Sequence, residues 1–422
     1  TYNPSTCPDP NKKDIFYEID YMPNHKPNYL ALLDVISSFR NASVVSGSCP
    51  TCPGSINLHF KINEAISVHD DFIPWSHAAN ATNPLGGFDE IKKLYYGSSA
   101  DRADPSILLS ERQVMRYMLI SHQQEETANK LSSGYAEIYG NDIEISAGAL
   151  SGGSGTRMEQ AGTIMHEIGH NLGLNHGGAA TNTQNCKPNY ISVMNYGFQL
   201  ATFVESRTLD YSRVKLADLN EISLSEVNGI SSPGKALTTL YGPATAPGVG
   251  LKNATLSASA NTPIDWNRDN DKIDTGINTN INYFAFPGCM DDDGYAQKTT
   301  LTGSNDWANI NLLFRTTSST FADGIQALNP IDPSQNIGSY EPTSDAFRVF
   351  TGVPPVIHDG GPYSVDEGVT VTLDASGSTD TAPGFVEIYR WNFGDLTQWD
   401  TPGVDVLGSQ AIIFADDDDH SP

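Results

Sequence analysis

Apolar residues fall on every fourth position at Ile164, Ile168 and Leu172, the repeat of a helix with one buried face. Thr156 and Glu159 form a T-x-x-E capping box ahead of that repeat. The Ser151-Gly-Gly-Ser-Gly155 stretch before it is unsuited to a helix interior. The pattern predicts a helix that starts at Thr156 and stops near Gly173, where glycine can take the left-handed conformation that turns a chain out of a helix. His166 and His170 are also four apart. His166 lies about 200° around the helix from Ile164, so both imidazoles face away from the core. A helix with one side in the core and two histidines on the other makes the floor of a cleft.

Upstream, Ile56-Asn-Leu-His-Phe-Lys-Ile62 alternates apolar and polar residues and predicts a half-buried strand. Ile15–Tyr21 is a second strand, and Leu30, Leu32, Leu33 and Ile36 place a helix over Tyr29–Phe39. Helical patterns return at Phe88–Tyr95 and Glu111–Ile120. Asn141–Leu150 reads as a strand, loosened at Gly148. Residues 231–262 are rich in Ser, Thr, Ala, Gly and Pro and are expected to be mostly loop.

The helix carries His166-Glu167-Ile-Gly-His170-Asn-Leu-Gly173-Leu-Asn-His176, the spacing H-E-x-x-H-x-x-G-x-x-H. Two imidazoles share one helix face, and the turn at Gly173 lets His176 swing back to join them. Three neutral imidazoles leave a fourth position for water, the open arrangement of a catalytic zinc site. Zinc lowers the pKa of such a water to ~7, and Glu167 is the carboxylate placed to take its proton.

These residues resemble the signature of the metzincin zinc endopeptidases, and Ser192-Val-Met194-Asn-Tyr196 is similar to their methionine-containing turn. The resemblance implies that Met194 packs under the three imidazoles. It also implies that Tyr196 ligates zinc or steadies the reaction intermediate, although a core tyrosine fits the same position. Cys186–Met194 and Lys13–Met22 resemble secreted pappalysin-like proteases of archaea and bacteria. The implied fold class is α+β: a twisted mixed sheet with the active-site helix over 1–176 and a loop-rich C-terminal catalytic subdomain over 177–348. Substrate in such enzymes pairs in extended form with a strand edging the cleft, which places Ser146, Ala147, Gly148 and Ala149 as substrate-binding residues. An ordinary edge strand reads identically.

Asp265, Asn267, Asp269 and Asp271 stand at alternate positions and resemble the first half of an EF-hand calcium loop. Asn270 replaces the usual glycine and Gly276 the usual glutamate. A calcium site and a solvated acidic turn both fit. Residues 354–422 resemble a polycystic-kidney-disease (PKD) module through Trp391-Asn-Phe-Gly-Asp395. That resemblance implies an all-β immunoglobulin-like sandwich, short at the end and possessing an extracellular polymer or cell-surface ligand.

Composition narrows the classes. Fifty acidic against 24 basic residues give a net charge of −26, which disfavours nucleic acid and anionic membrane surfaces and favours cations. No apolar run reaches the ~18 residues of a membrane span. The opening Thr1-Tyr2-Asn3-Pro4 fits a mature or trimmed form of an exported protein, secreted or held at the cell surface. The five cysteines, Cys7, Cys49, Cys52, Cys186 and Cys289, leave at least one unpaired within the chain, with their pairing open. Gly152-Gly-Ser154-Gly155 lacks the closing glycine of a serine-hydrolase elbow. The expectation is therefore a secreted zinc endopeptidase acting on protein or peptide substrates, with zinc and calcium as its metals. A surface adhesion protein acting through the PKD-like part is the alternative.

Overall fold

The computed structural model describes residues 12–42, 56–75, 79, 84–124, 132–179, 181–201, 204, 207–243, 251–284, 289 and 299–312, with four short strands beyond them. The chain divides into two units, Thr1–Phe347 and Arg348–Pro422.

A five-stranded sheet organises the first unit. Its strands are β1 (Lys13–Tyr21), β2 (Ile56–Ala65), β3 (Met115–Ser121), β4 (Gly134–Ala136) and β5 (Asp142–Ser146), in the spatial order β2-β1-β3-β5-β4. The pairs β1–β2, β1–β3 and β3–β5 are parallel, and β4 runs antiparallel to β5. The register sets Ile62, Ile19, Met118 and Ile143 in one row across four strands. On that face pack Leu32, Val35 and Phe39 of helix α1 (Tyr29–Arg40) and Ile164, Ile168 and Leu172 at helix α5 (Arg157–Asn171). The opposite face presents Tyr117 and Leu119 to Phe88 and Ile91 of helix α2 (Phe88–Tyr95). Alternate residues of β3 thus serve two cores, as the two-residue period of a strand requires.

Three expectations change here. The helical pattern over Glu111–Ile120 is the end of a short helix, Pro105–Glu111, followed by strand β3. From Arg116 onward every residue of β3 is buried, so the alternation that marks a half-exposed strand is missing. Asn141–Leu150 is not one strand: β5 ends at Ser146, and Ala147–Ala149 form a tight 3-10 turn. There the Gly148 amide donates to the His122 carbonyl at 2.8 Å, turning the chain back over the end of β3. Nor is β5 an edge strand. It is paired on both sides, so Ser146, Ala147, Gly148 and Ala149 are not the open edge expected for substrate, and β4 stands at that edge instead. The position of a strand within a sheet depends on partners distant in sequence, which no local pattern reports.

Within the expected loop 231–262, Leu237–Tyr241 and Lys252–Leu256 pair antiparallel. Tyr241 and Leu256 enter a second core with Leu219, Leu224, Ile264, Trp266, Ile281 and Leu301. A disulfide joins Cys186 to Cys289, with Cα atoms 5.6 Å apart and a separation of 103 positions in sequence. Closing a loop of that length lowers the entropy of the unfolded chain by on the order of 4–5 kcal/mol in free-energy terms. Cys7, Cys49 and Cys52 lie outside the described residues.

In the second unit, Val371–Asp374 pairs antiparallel with Ser409–Ile412 and Ile388–Asn392 with Gln398–Pro402. The remainder of the PKD-like segment lies outside the described residues. Among the described residues no helix is long and apolar enough to cross a membrane.

One buried acid makes the stability of the sheet depend on pH. Glu144 of β5 is fully buried and accepts a hydrogen bond from Ser121 Oγ at 2.6 Å. Burial pushes its carboxyl up from 4.5 to about 8, and the Ser121 bond only partly opposes this. The folded chain therefore holds a proton that the unfolded chain releases. The stabilisation is complete below about pH 4.5 and is lost as pH rises toward about 8. Glu144→Gln is expected to gain stability relative to wild type between pH 5 and pH 9, by on the order of a few kcal/mol. Urea unfolding at both pH values reads the difference, and an identical gap at the two would place the proton elsewhere.

Candidate metal centre

Helix α5 starts as its sequence requires. Thr156 Oγ1 accepts from the Glu159 amide at 3.2 Å, and the Glu159 carboxylate accepts from the Thr156 amide at 2.7 Å. Thr156 thereby fixes where the helix that carries His166 and His170 begins. Gly173 has φ 86°, the left-handed region, and the chain leaves the helix there into β6 (Leu174–Asn175). A short return through β7 (Gly178–Ala179) pairs antiparallel with β6, and His176 stands at the turn between them. His166, His170 and His176 are all buried, and their ligating nitrogens lie within 4.8 Å of one another. Ring centroids stand 4.7, 5.3 and 4.9 Å apart around the triad.

The protons on these rings follow from their neighbours. His166 Nδ1 is 2.7 Å from the Val193 carbonyl oxygen, and His170 Nδ1 is 2.9 Å from that of Leu174. A carbonyl only accepts, so both Nδ1 atoms carry a proton, and in the neutral rings both Nε2 atoms present lone pairs. Those two Nε2 atoms are 3.1 Å apart. Lone pairs facing one another at that distance repel, and a cation between them removes the repulsion. Tetrahedral zinc with Zn–N of ~2.0–2.1 Å sets its ligand nitrogens about 3.3 Å apart. The three imidazoles fit zinc in donor type and spacing.

Around the triad stand the other residues expected from the sequence. Met194 is fully buried, with its sulfur against the backbone of Gly169 on the helix. Tyr196, also fully buried, places its hydroxyl 3.3 Å from His176 Nε2. The tyrosine begins a one-turn helix, α6 (Tyr196–Gln199), which Asn195 caps by accepting from the Gly197 amide. Glu167 is fully buried and lies against Gly134 of edge strand β4, where a Cβ would overlap its side chain. The centre thus sits between helix, methionine turn and sheet edge.

Three contributors were not legible in the motif. Gly134 and Gly169 let Glu167 and Met194 approach, and only their three-dimensional neighbours reveal this. Asp306, far along the chain, accepts from Tyr190 and Ser192 hydroxyls at 2.8 and 2.6 Å and so fixes the segment leading into the methionine turn. Burial raises the Asp306 carboxyl, and those two hydroxyls, Ser304 and the Ser212 amide draw it back. An isolated aspartate in a loop-like segment carries no signal of such a role.

The candidate calcium loop is rearranged. Asp269 and Asp271 gather with Asp274 and the buried Glu226, their carboxylate oxygens within 4.8 Å. Asp265 is not in that group; its Oδ2 accepts from the Asn270 amide at 3.1 Å. Asn267 Nδ2 donates to Asp269 and Asp274, both at 3.0 Å. Glu226 is 39 or more residues upstream of Asp265, so the EF-hand pattern could not include it.

Residues 101–177 match the family model of Reprolysin-like metallopeptidases, family M12B. That span holds β3, β4, β5, helix α5 and all three histidines. The chain is therefore similar to the reprolysin-like metallopeptidases over this segment. Among solved structures, metalloproteinase-II from Bacteroides fragilis is similar at 12% identity and a TM-score of 0.26. The match covers 44% of this chain and 46% of that one, so the chain spans under half of its length. No curated protein matches.

Proposed function

We propose that this chain is an exported zinc endopeptidase of the metzincin class. One observation carries the reading: the Nε2 atoms of His166 and His170 face each other 3.1 Å apart, on the helix that also carries the buried Glu167. His166, His170 and His176 would hold zinc. When bound, zinc supplies Lewis acidity toward the scissile carbonyl and a lowered pKa for water. Glu167 takes the proton of the attacking water on a carboxylate oxygen and delivers it to the leaving amine. The Tyr196 hydroxyl, 3.3 Å from His176, donates to the oxygen on which negative charge develops.

Substrate is proposed to lie along β4. This strand ends the sheet, and its outer side has no strand partner among the described residues. Gly134 on β4 touches Glu167, so a peptide paired there in extended form passes the catalytic carboxylate. Backbone pairing favours an extended peptide over any particular side chain.

The finer identity is pappalysin-like, supported by the Lys13–Met22 and Cys186–Met194 segments, which form β1 and the approach to the methionine turn. Export is supported by the Cys186–Cys289 disulfide, since such bonds persist in oxidising compartments. Calcium at Glu226, Asp269, Asp271 and Asp274 is supported by four carboxylates drawn together. A PKD-like module over 354–422 that binds an extracellular polymer or cell surface rests on its Trp391–Asp395 signature.

Digestion of a peptide library, with and without a zinc chelator and read by mass spectrometry, tests the activity. Internal cleavages that vanish with chelation and return with added zinc are the expected result. Cleavage unaffected by complete zinc removal overturns the reading.

A further inference from the structure

Three more histidines converge away from the motif. His25 follows β1, His69 follows β2 and His122 directly follows β3. These strands are adjacent and parallel, in the order β2-β1-β3, so their C-terminal ends open on the same edge of the sheet. Sheets of parallel strands characteristically place ligands at that edge. His25 Nε2 stands 3.0 Å from His69 Nε2 and 3.0 Å from His122 Nδ1. All three nitrogens lie within 4.8 Å. Ring centroids are 5.1, 5.1 and 5.0 Å apart, close to the separations in the first triad.

Hydrogen bonding alone serves this cluster poorly. A neutral imidazole nitrogen offers one proton or one lone pair, so His25 Nε2 cannot form two well-directed hydrogen bonds to its neighbours. A single cation satisfies three converging lone pairs at once. The 3.0 Å spacings are near the roughly 3.3 Å that tetrahedral Zn–N geometry sets.

The surroundings hold the rings in place. A Cβ on Gly148 would meet His122 Nδ1 at 2.7 Å, and the Gly148 amide grips the His122 carbonyl at 2.8 Å. His25 is 4% exposed and fixed in the turn after β1. The Asp71 carboxylate lies 3.9 Å from His69 Nδ1, away from the Nε2 atom that faces His25. The His69 side chain is 31% exposed, which opens a fourth position to water.

We propose that His25, His69 and His122 form a second metal site, for zinc or a similar divalent transition ion. The ion would tie together the loops after β1, β2 and β3. Through the His122 carbonyl it would also brace the turn at Gly148. Its residues are separate from His166, His170 and His176, so it stands or falls independently of the proposed peptidase.

Zinc titration of the metal-stripped full chain, read by inductively coupled plasma mass spectrometry, tests the site. Wild type is expected to bind one zinc more than His69→Gln. His166→Ala/His170→Ala is expected to retain the second zinc and to show a rise in Tm on zinc addition. That rise should disappear when His69→Gln is added. His69 is exposed, so its replacement leaves the core intact, and circular dichroism verifies the fold. A zinc-edge anomalous map of the wild-type crystal gives a readout that needs no variant. An anomalous peak between the three rings supports the site. Equal zinc content in wild type and His69→Gln, or no peak there in a zinc-soaked crystal, overturns it.

Discussion

Glu167→Gln is expected to retain the zinc content of the wild type while losing peptide hydrolysis by about 10²–10⁴-fold, the usual contribution of a positioned general base. The exchange is nearly isosteric, so the fully buried side chain keeps its place against Gly134. The histidines are untouched: His166 and His170 still have Nδ1 held by Val193 and Leu174. What disappears is the ability to accept a proton. The loss should fall on kcat with KM little changed, because the carboxylate acts on water rather than on the peptide. Atomic absorption and steady-state kinetics on the same preparation separate the two effects. Hydrolysis at the wild-type rate with matched zinc would remove Glu167 from the chemistry.

Gly169→Ala is expected to destabilise the chain by about 1–3 kcal/mol and to weaken zinc binding, as overpacking a filled core does. The sign is the informative part. In an ordinary helix interior the same exchange stabilises by about 1 kcal/mol. Here a Cβ would meet the sulfur of Met194, with Met194 Cε at 3.2 Å and the Tyr211 ring at 3.1 Å. Neither neighbour has room to retreat. Met194 is fully buried, and Tyr211 bonds through its hydroxyl to the Met165 carbonyl at 2.5 Å. The methionine turn is also tied to the metal: the carbonyl of Val193, the residue before Met194, holds His166. Displacing the turn therefore misaligns a ligand. Thermal unfolding and zinc affinity measured on Gly169→Ala and on Gly169→Ala/Met194→Ala check this, with the double variant regaining part of the lost stability. A single variant more stable than wild type would show that the contact is loose.

Helix α5 was legible because its information is local. The capping box at Thr156, the apolar positions at Ile164, Ile168 and Leu172, and the glycine exit at Gly173 all act within a turn or two of the chain. Strand β2 and helices α1 and α2 were legible for the same reason, each showing a clear period. Strand β3 was not, because burial on both faces erases the alternation. The sheet edge was misplaced onto Ser146–Ala149 because being at an edge is a property of the sheet, not of the strand.

The sequence by itself determined which three imidazoles gather and which helix carries two of them. Helical spacing brings His166 and His170 together, and the turn after Gly173 returns His176 to them. Tertiary structure alone decided what those residues touch. It placed Gly134 beside Glu167, put Asp306 under the methionine turn, and exchanged Asp265 for Glu226 in the acidic loop. It also assembled His25, His69 and His122 from three strand ends. Their separations of 44 and 97 residues carry no periodic signal. Only the parallel pairing of β2, β1 and β3 brings the three rings to one point.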